Sequence, residues 1–331
     1  MIGSTGAREQ DWLVGHEAAE ATLVSEALAG RLHHAWLLTG PAGIGKATLA
    51  FRFARWMLAG QTPGGLSIPV QDPVFRRVAA GTHADLLTVS RGYDEKRGRH
   101  RAEIVTDEVR PIGEFLRRTA AEGGWRVVIL DDADLMNRNA ANALLKVLEE
   151  PPPRAVIILV SSTPGRLLPT IRSRCRVLRM EPLDTPDMMT VLAQLLPDQD
   201  EPARQLLATL GHGSPGRALA IAGEDGIALE GFVKEVLAGR LKGEGRFYTL
   251  VDLILRKEQG FTTFLSLLAD AISDQLRNAA RTGTTWAPGC GAGVDWMSAW
   301  GDIRRVRDET DRFNLDKRQA LLSSLSLLGG R

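Results

Sequence analysis

Three short apolar runs constrain this chain more than any other feature. Ala35-Trp36-Leu37-Leu38-Thr39 stops at Gly40, and Arg126-Val127-Val128-Ile129-Leu130 stops at Asp131. Ala155-Val156-Ile157-Ile158-Leu159-Val160 stops at a Ser-Ser-Thr-Pro turn. None alternates polar with apolar residues, so each predicts a strand covered on both faces, the mark of a parallel sheet between helical layers. Leu86-Leu87-Thr88-Val89 is a weaker fourth candidate. Helical spacing fills the gaps: from Asn139 to Glu150, Ala140, Leu144, Val147 and Leu148 share a face, and Pro151-Pro152-Pro153 ends the helix. Gln61 to Pro73, with three prolines and a Gly-Gly pair, reads as a surface loop, and the basic stretch Arg91 to Arg101 reads as another.

Strand signals stop near Met180. Thr185 to Ala222 reads as two or three short helices, punctuated by Pro197, Pro202 and Gly213-Ser214-Pro215-Gly216. A Gly-Glu-Asp-Gly stretch at 223–226 marks a second boundary. Beyond it, Phe232 to Leu241, Phe247 to Leu255 and Phe261 to Leu276 are amphipathic; Phe261, Phe264, Leu265, Leu268 and Ile272 fall on one helical face. A Gly/Thr/Pro-rich loop at 281–293 precedes two more helical segments that end near Leu328. The expected organisation is an α/β N-terminal domain over 1–180, its parallel sheet flanked by helices on both faces. A small helical lid domain over 181–224 and an all-α C-terminal domain over 225–331 follow, as a length of 331 residues suggests more than one core.

Composition removes several function classes. Lys+Arg 41 against Asp+Glu 40 leaves a net charge of +1, so any nucleic-acid contact must come from a local patch. No run approaches the roughly 18–20 apolar residues that span a bilayer, and the opening MIGSTGAREQDW has no apolar signal core. Two cysteines, Cys175 and Cys290, cannot supply a disulfide framework or a four-thiolate zinc site. The expectation is a cytoplasmic protein that keeps clear of membranes.

Gly40-Pro41-Ala42-Gly43-Ile44-Gly45-Lys46-Ala47 follows the first strand and opens a helix, the setting a phosphate-binding loop requires. Gly40, Gly43 and Gly45 let backbone N–H groups turn inward, the helix start adds positive potential, and Lys46 supplies a point charge. The pattern's last position is wrong. Ala47 stands where a hydroxyl would bind Mg²⁺, and Thr48 comes one residue late, about 100° further round the helix. Asp131, at the end of a strand, is placed for a Mg²⁺ partner. Asp132 takes the position of a water-polarising glutamate but is one methylene shorter. The same acids would also serve simply to cap the following turn. Together these departures predict a site for ATP and Mg²⁺ that binds better than it hydrolyses, and weakly at that.

Asn142-Ala143-Leu144-Leu145-Lys146-Val147-Leu148-Glu149-Glu150-Pro151-Pro152, with Pro169-Thr170-Ile171-Arg172-Ser173-Arg174-Cys175, resembles the bacterial clamp-loader AAA+ subunits. Leu13-Val14-Gly15-His16-Glu17, His34-Ala35-Trp36-Leu37 and Asn314-Leu315-Asp316-Lys317 fit the same family. The resemblance makes the first domain an AAA+ P-loop domain and the last a collar that holds subunits together in DNA replication. It implies that Arg174 is an arginine finger reaching a neighbour's ATP, whereas Arg172, Arg174, Arg176 and Arg179 as mere surface charge is the bland reading. It implies that Ser162 and Thr163 sense the γ-phosphate, a turn cap being the alternative. The sensing arginine of motor subunits is displaced here: Gly216 holds its place and Arg217 follows. The four-cysteine zinc module of many relatives is missing between residues 55 and 85, where His83 and Asp85 are no substitute, so no zinc is expected. Cys175 is expected to be a small buried residue. The resemblance further implies partners of the delta and gamma/tau kinds, a sliding clamp and primed DNA. Arg110, Arg138 and the Arg97–Arg101 loop are candidates for phosphate contacts, or else plain solvated charges. The implied role is a stator that lends its finger, with a working AAA+ motor ATPase as the alternative.

Overall fold

The structure is a computed structural model. It describes residues 6–94, 99–122, 124–223, 226–240, 244–257, 259–284, 286, 294–313 and 315–328. The chain divides into two compact units, Met1–Asp198 with His212–Gly216, and Gln199–Gly211 with Arg217–Arg331.

The first unit runs α1 (Glu17–Leu28), β1 (Ala35–Thr39), α2 (Lys46–Leu58), α3 (Pro73–Ala79) and β2 (Leu86–Val89). A small hairpin, β3 (Tyr93–Asp94) and β4 (Arg99–His100), leads to α4 (Thr106–Arg117), β5 (Arg126–Leu130) and α5 (Arg138–Glu149). Next come β6 (Ala155–Ser161), α6 (Pro169–Arg172), β7 (Arg176–Arg179) and α7 (Thr185–Leu195). Five strands form one parallel sheet in the order β2-β5-β6-β1-β7. In register, Leu37 of β1 lies beside Leu159 of β6 and Val177 of β7, and Val128 of β5 lies beside Ile157.

Alternate strand residues explain why the apolar runs are unbroken. Trp36, Leu38, Val127, Ile129, Val156 and Ile158 face a core shared with Leu23 of α1, Leu49, Phe53 and Trp56 of α2, and Phe75 of α3. Ala35, Leu37, Val128, Leu130, Ile157 and Leu159 face the opposite core, closed by Val109, Ile112 and Leu116 of α4 and Leu144 and Leu148 of α5. With both faces covered, the interior positions of the central strands are apolar, and their polar residues, Thr39, Arg126 and Ser161, fall at strand ends.

The sequence expectation holds for four strands and for α5, which starts at Arg138 because the Asn137 side chain accepts the Ala140 N–H at 2.9 Å. Two differences stand out. β7 has no strand signal in its arginine-rich sequence; as an edge strand it is largely exposed, and Arg176 pairs with Glu26 at 2.7 Å while lying over the Trp36 ring. The stretch Arg91 to Arg101 is a hairpin at its ends, not wholly a loop, while residues 95–98, Arg97 included, lie outside those described.

α2 also buries two arginines. Arg52 pairs with Glu20 at 2.8 Å and donates to the Asp11 carbonyl. Arg55 donates to the carbonyls of Arg8 and Gln10 at 2.7 and 2.5 Å, its guanidinium 4.5 Å from the Phe75 ring centre.

The second unit holds α8 (Glu201–Gly211), most of α9 (Pro215–Gly223), α10 (Gly226–Leu237), α11 (Glu244–Leu255), α12 (Gly260–Thr282), α13 (Trp296–Phe313) and α14 (Lys317–Ser326). α12 is its axis: Phe261, Phe264, Leu265, Leu268 and Ile272 are buried, and α10, α11, α13 and α14 pack on it. The helix expected from Phe232 lies earlier, at Gly226–Leu237, and the proposed break at 223–226 includes residues 224 and 225, which are not described. Cys290 and Asn314 are likewise outside the described residues. Among those described, no helix is long and apolar enough to cross a membrane.

Candidate functional site

The loop from Gly40 to Gly45 leaves the C-terminal end of β1 and turns straight into α2. Gly40, Gly43 and Gly45 all take positive φ, 144°, 75° and 109°, which side-chain-bearing residues adopt rarely. At Gly40 a Cβ would also run into the Met180 carbonyl. The loop is held from two sides. The buried His16 donates from Nε2 to the Ile44 carbonyl at 2.8 Å. From far along the chain, Ser214 Oγ donates to the Ala42 carbonyl at 2.8 Å and the Gly216 N–H to the Gly43 carbonyl at 2.9 Å. The approach is so close that a Cβ on Gly216 would lie 2.8 Å from the Gly43 Cα.

Lys46 points back into this loop. Its Nζ donates to the Gly40 carbonyl at 2.8 Å, the Pro41 carbonyl at 2.5 Å and Ser162 Oγ at 3.0 Å, and the residue is only 4% exposed. Burial pulls its pKa below the ordinary lysine value, against the opposing pull of Asp131, Asp134 and Asp132. Ala47 and Thr48 follow as half-buried residues of the first turn of α2.

The acids gather at the end of β5. Burial, and then the neighbouring Asp132, push the Asp131 carboxyl above the usual range, although it accepts the Asp132 N–H at 3.0 Å. Asp132 sits in left-handed backbone, φ 52°, and pairs with Arg91 at 3.3 Å. Asp134 accepts the Ser162 N–H at 3.1 Å, so Ser162 bridges Lys46 and an acid. The structure therefore brings Gly40, Gly43, Gly45, Lys46, Asp131, Asp132 and Ser162 to one end of the sheet, as the sequence suggested.

Arg174 stands apart, just after α6. Its Nη2 pairs with Glu149 Oε1 at 2.9 Å, its Nη1 donates to the Thr170 carbonyl at 3.1 Å, and its side chain is 37% exposed. The neighbouring Cys175 is buried, and burial pushes its thiol up to about 12, far from the range of a nucleophile or ligand. Arg110 on α4 and Arg138 at the start of α5 are both exposed, Arg110 within 3.7 Å of Asp107. Arg217 donates to the Leu210 carbonyl at 3.0 Å and pairs with Asp270 of α12. Asp85 accepts the N–H groups of Ala121 and Glu122 at 2.7 and 3.0 Å, and His83 is buried beside it. Residue types and spacing gave no role to His16, to the Ser214–Gly216 strap or to Glu149; each acts through contacts with residues distant in sequence.

A sequence family described as "DNA polymerase III, delta subunit" matches residues 15–184. The DNA polymerase III delta-prime subunit of Escherichia coli K12 is 31% identical over 315 residues, 92% of this chain and 91% of its own. The chain belongs to the DNA polymerase III delta-prime family. The delta-prime subunit of Pseudomonas aeruginosa is 42% identical over 60% of this chain, an alignment that spans 58% of that relative's length. The tau subunit of E. coli K12 is 30% identical over 65% of this chain and 33% of its own. Everything from the phosphate loop to Arg174 falls inside the matched span of the delta-prime-family domain.

Proposed function

We propose that this chain acts as a stator in a clamp loader that places a sliding clamp on primed DNA, lending Arg174 to the ATP site of a neighbouring subunit. The contrast between two cations carries this reading: Lys46 is bound up inside its own loop, while Arg174 is held at the surface. A guanidinium presents fixed charge and several donors to the oxygens of a transferring phosphoryl group. The family supplies the partner classes, subunits of the delta and gamma/tau kinds, with Arg110 and Arg138 reserved for DNA phosphates. Those contacts would be indifferent to sequence and weakened by salt.

The chain's own loop suits ATP and Mg²⁺ poorly as arranged. The Lys46 ammonium is tied to the carbonyls of Gly40 and Pro41 and to Ser162, and Ala47 offers no side-chain oxygen to a metal. Burial and the neighbouring Asp132 raise the Asp131 pKa above the usual carboxylate value. A triphosphate would have to displace Lys46 from its present partners, so binding is weak and hydrolysis weaker.

The test is ATP turnover of the loader reassembled from its purified subunits. With Arg174→Ala, turnover at the site it faces falls by a factor on the order of 10³, while the isolated chain hydrolyses ATP negligibly. Unchanged turnover would remove the finger. Brisk hydrolysis by the isolated chain, abolished by Lys46→Ala, would make it a motor subunit instead.

A further inference from the structure

Arg174 is delivered from a surface whose parts are fixed separately. On one side, α5 ends at Glu149, its Leu144 and Leu148 buried in the sheet's core and its Leu148 carbonyl accepting from His34 Nε2 at 3.1 Å. On the other, Ile171 and Cys175 flank Arg174 and are buried in that same core. The backbone on both sides is therefore anchored, and the long arginine side chain is the loose element. Two contacts restrain it: Glu149 Oε1 at 2.9 Å from Nη2 and the Thr170 carbonyl at 3.1 Å from Nη1. Because the guanidinium is planar, holding both η nitrogens fixes its plane as well as its position. The hydrogen bond to Thr170 uses one of its five N–H groups, and the ion pair sets the Glu149 charge beside Nη2.

We propose that Glu149 is a positioning residue for Arg174, holding the guanidinium in its delivery geometry before a neighbouring phosphate arrives. This rests on the reading of Arg174 as a finger. The energetics favour positioning over fold stability. The pair is exposed on both partners, 37% and 49%, and such a pair contributes little to folding. Pre-ordering a reacting group, by contrast, appears directly in the rate.

The experiment uses the reassembled loader carrying Arg174→Ala, Glu149→Ala, Glu149→Gln or the double variant Glu149→Ala/Arg174→Ala. Steady-state ATP turnover of each is measured, together with thermal unfolding of each isolated chain. Glu149→Ala and Glu149→Gln should lower kcat about two- to fivefold, the rate equivalent of an exposed ion pair, at unchanged KM for ATP. Tm should fall by no more than about 3 °C, and Glu149→Ala should cost the turnover nothing further once Arg174 is gone. Wild-type turnover in the Glu149 variants would overturn the proposal, as would increased turnover, which would mark Glu149 as a brake. An equal loss in the Arg174→Ala background would overturn it too. An Arg174→Ala loader that turns over normally would instead topple the finger reading, and the proposal with it.

Discussion

Replacing Lys46 with methionine separates two jobs a loop lysine can have. A lysine that waits in an open loop for phosphate contributes little to the empty protein, and its loss changes stability by about 0.5 kcal/mol or less. Here the ammonium donates to Gly40, Pro41 and Ser162 at 2.5–3.0 Å in a residue that is 4% exposed. Methionine keeps most of the stem's volume, so no large cavity forms. What is lost are three charge-assisted bonds, each about 1.5–3 kcal/mol before the cost of drying the ammonium is subtracted. That cost is real, since burial already lowers the Lys46 pKa. Pro41 is exposed, and water can replace the lysine at its carbonyl. The net loss should be about 1–3 kcal/mol, roughly that of orphaning one buried acceptor. In a unit of about 200 residues this lowers Tm by about 3–10 °C. Thermal unfolding of the nucleotide-free chain, wild type against Lys46→Met, reads it directly. A Tm within about 1 °C of wild type, or above it, would mean that the lysine hangs free and that the closed loop is wrong.

Asp131→Asn should raise stability at pH 7. The folded carboxyl has a raised pKa, so ionising it costs the fold something that the neutral amide avoids, while the amide oxygen can still accept the Asp132 N–H. The gain should be complete above the folded pKa and vanish below the ordinary value of 3.8, as urea midpoints across that range would show. His83 has the opposite consequence: burial lowers its pKa, so the unfolded chain takes the proton first and stability falls as pH drops below 6.5. The slope, at most about 1.4 kcal/mol per pH unit, should flatten in His83→Gln. Gly216→Ala would press a methyl against the Gly43 backbone and should cost about 1–3 kcal/mol, with faster amide exchange at residues 42–44; unchanged exchange there would exclude the strap.

Legibility in the sequence followed burial. β1 and β5 could be read residue for residue because both of their faces are covered, and a run of four apolar residues bounded by one polar residue, Thr39 or Arg126, has few other uses. β7 could not: an edge strand with one neighbour tolerates arginine at both ends, and Arg176 and Arg179 hid it. The phosphate loop was equally plain, since glycines at those intervals between a strand and a helix are tied to one backbone path. The direction of the Lys46 side chain was not, because the same residues serve whether the lysine waits for phosphate or bonds its own carbonyls. The strap was further out of reach, Ser214 lying 172 positions from Ala42, with no periodicity linking them. Glu149 sat within a recognisable motif, yet nothing in its spacing from Arg174 says that they touch.

The two guanidiniums buried under α2 change what counts as the beginning of the folded body. Residues 8–11 form neither helix nor strand, so a boundary drawn by regular elements would fall at Glu17. Yet the carbonyls of Arg8, Gln10 and Asp11 are acceptors for Arg55 and Arg52, and trimming to Glu17 would strip both cations of those partners and open the core beneath them to water. The irregular lead-in is thus a wall of the core in its own right. A shortened fragment keeps all three of these contacts only by starting upstream of Arg8.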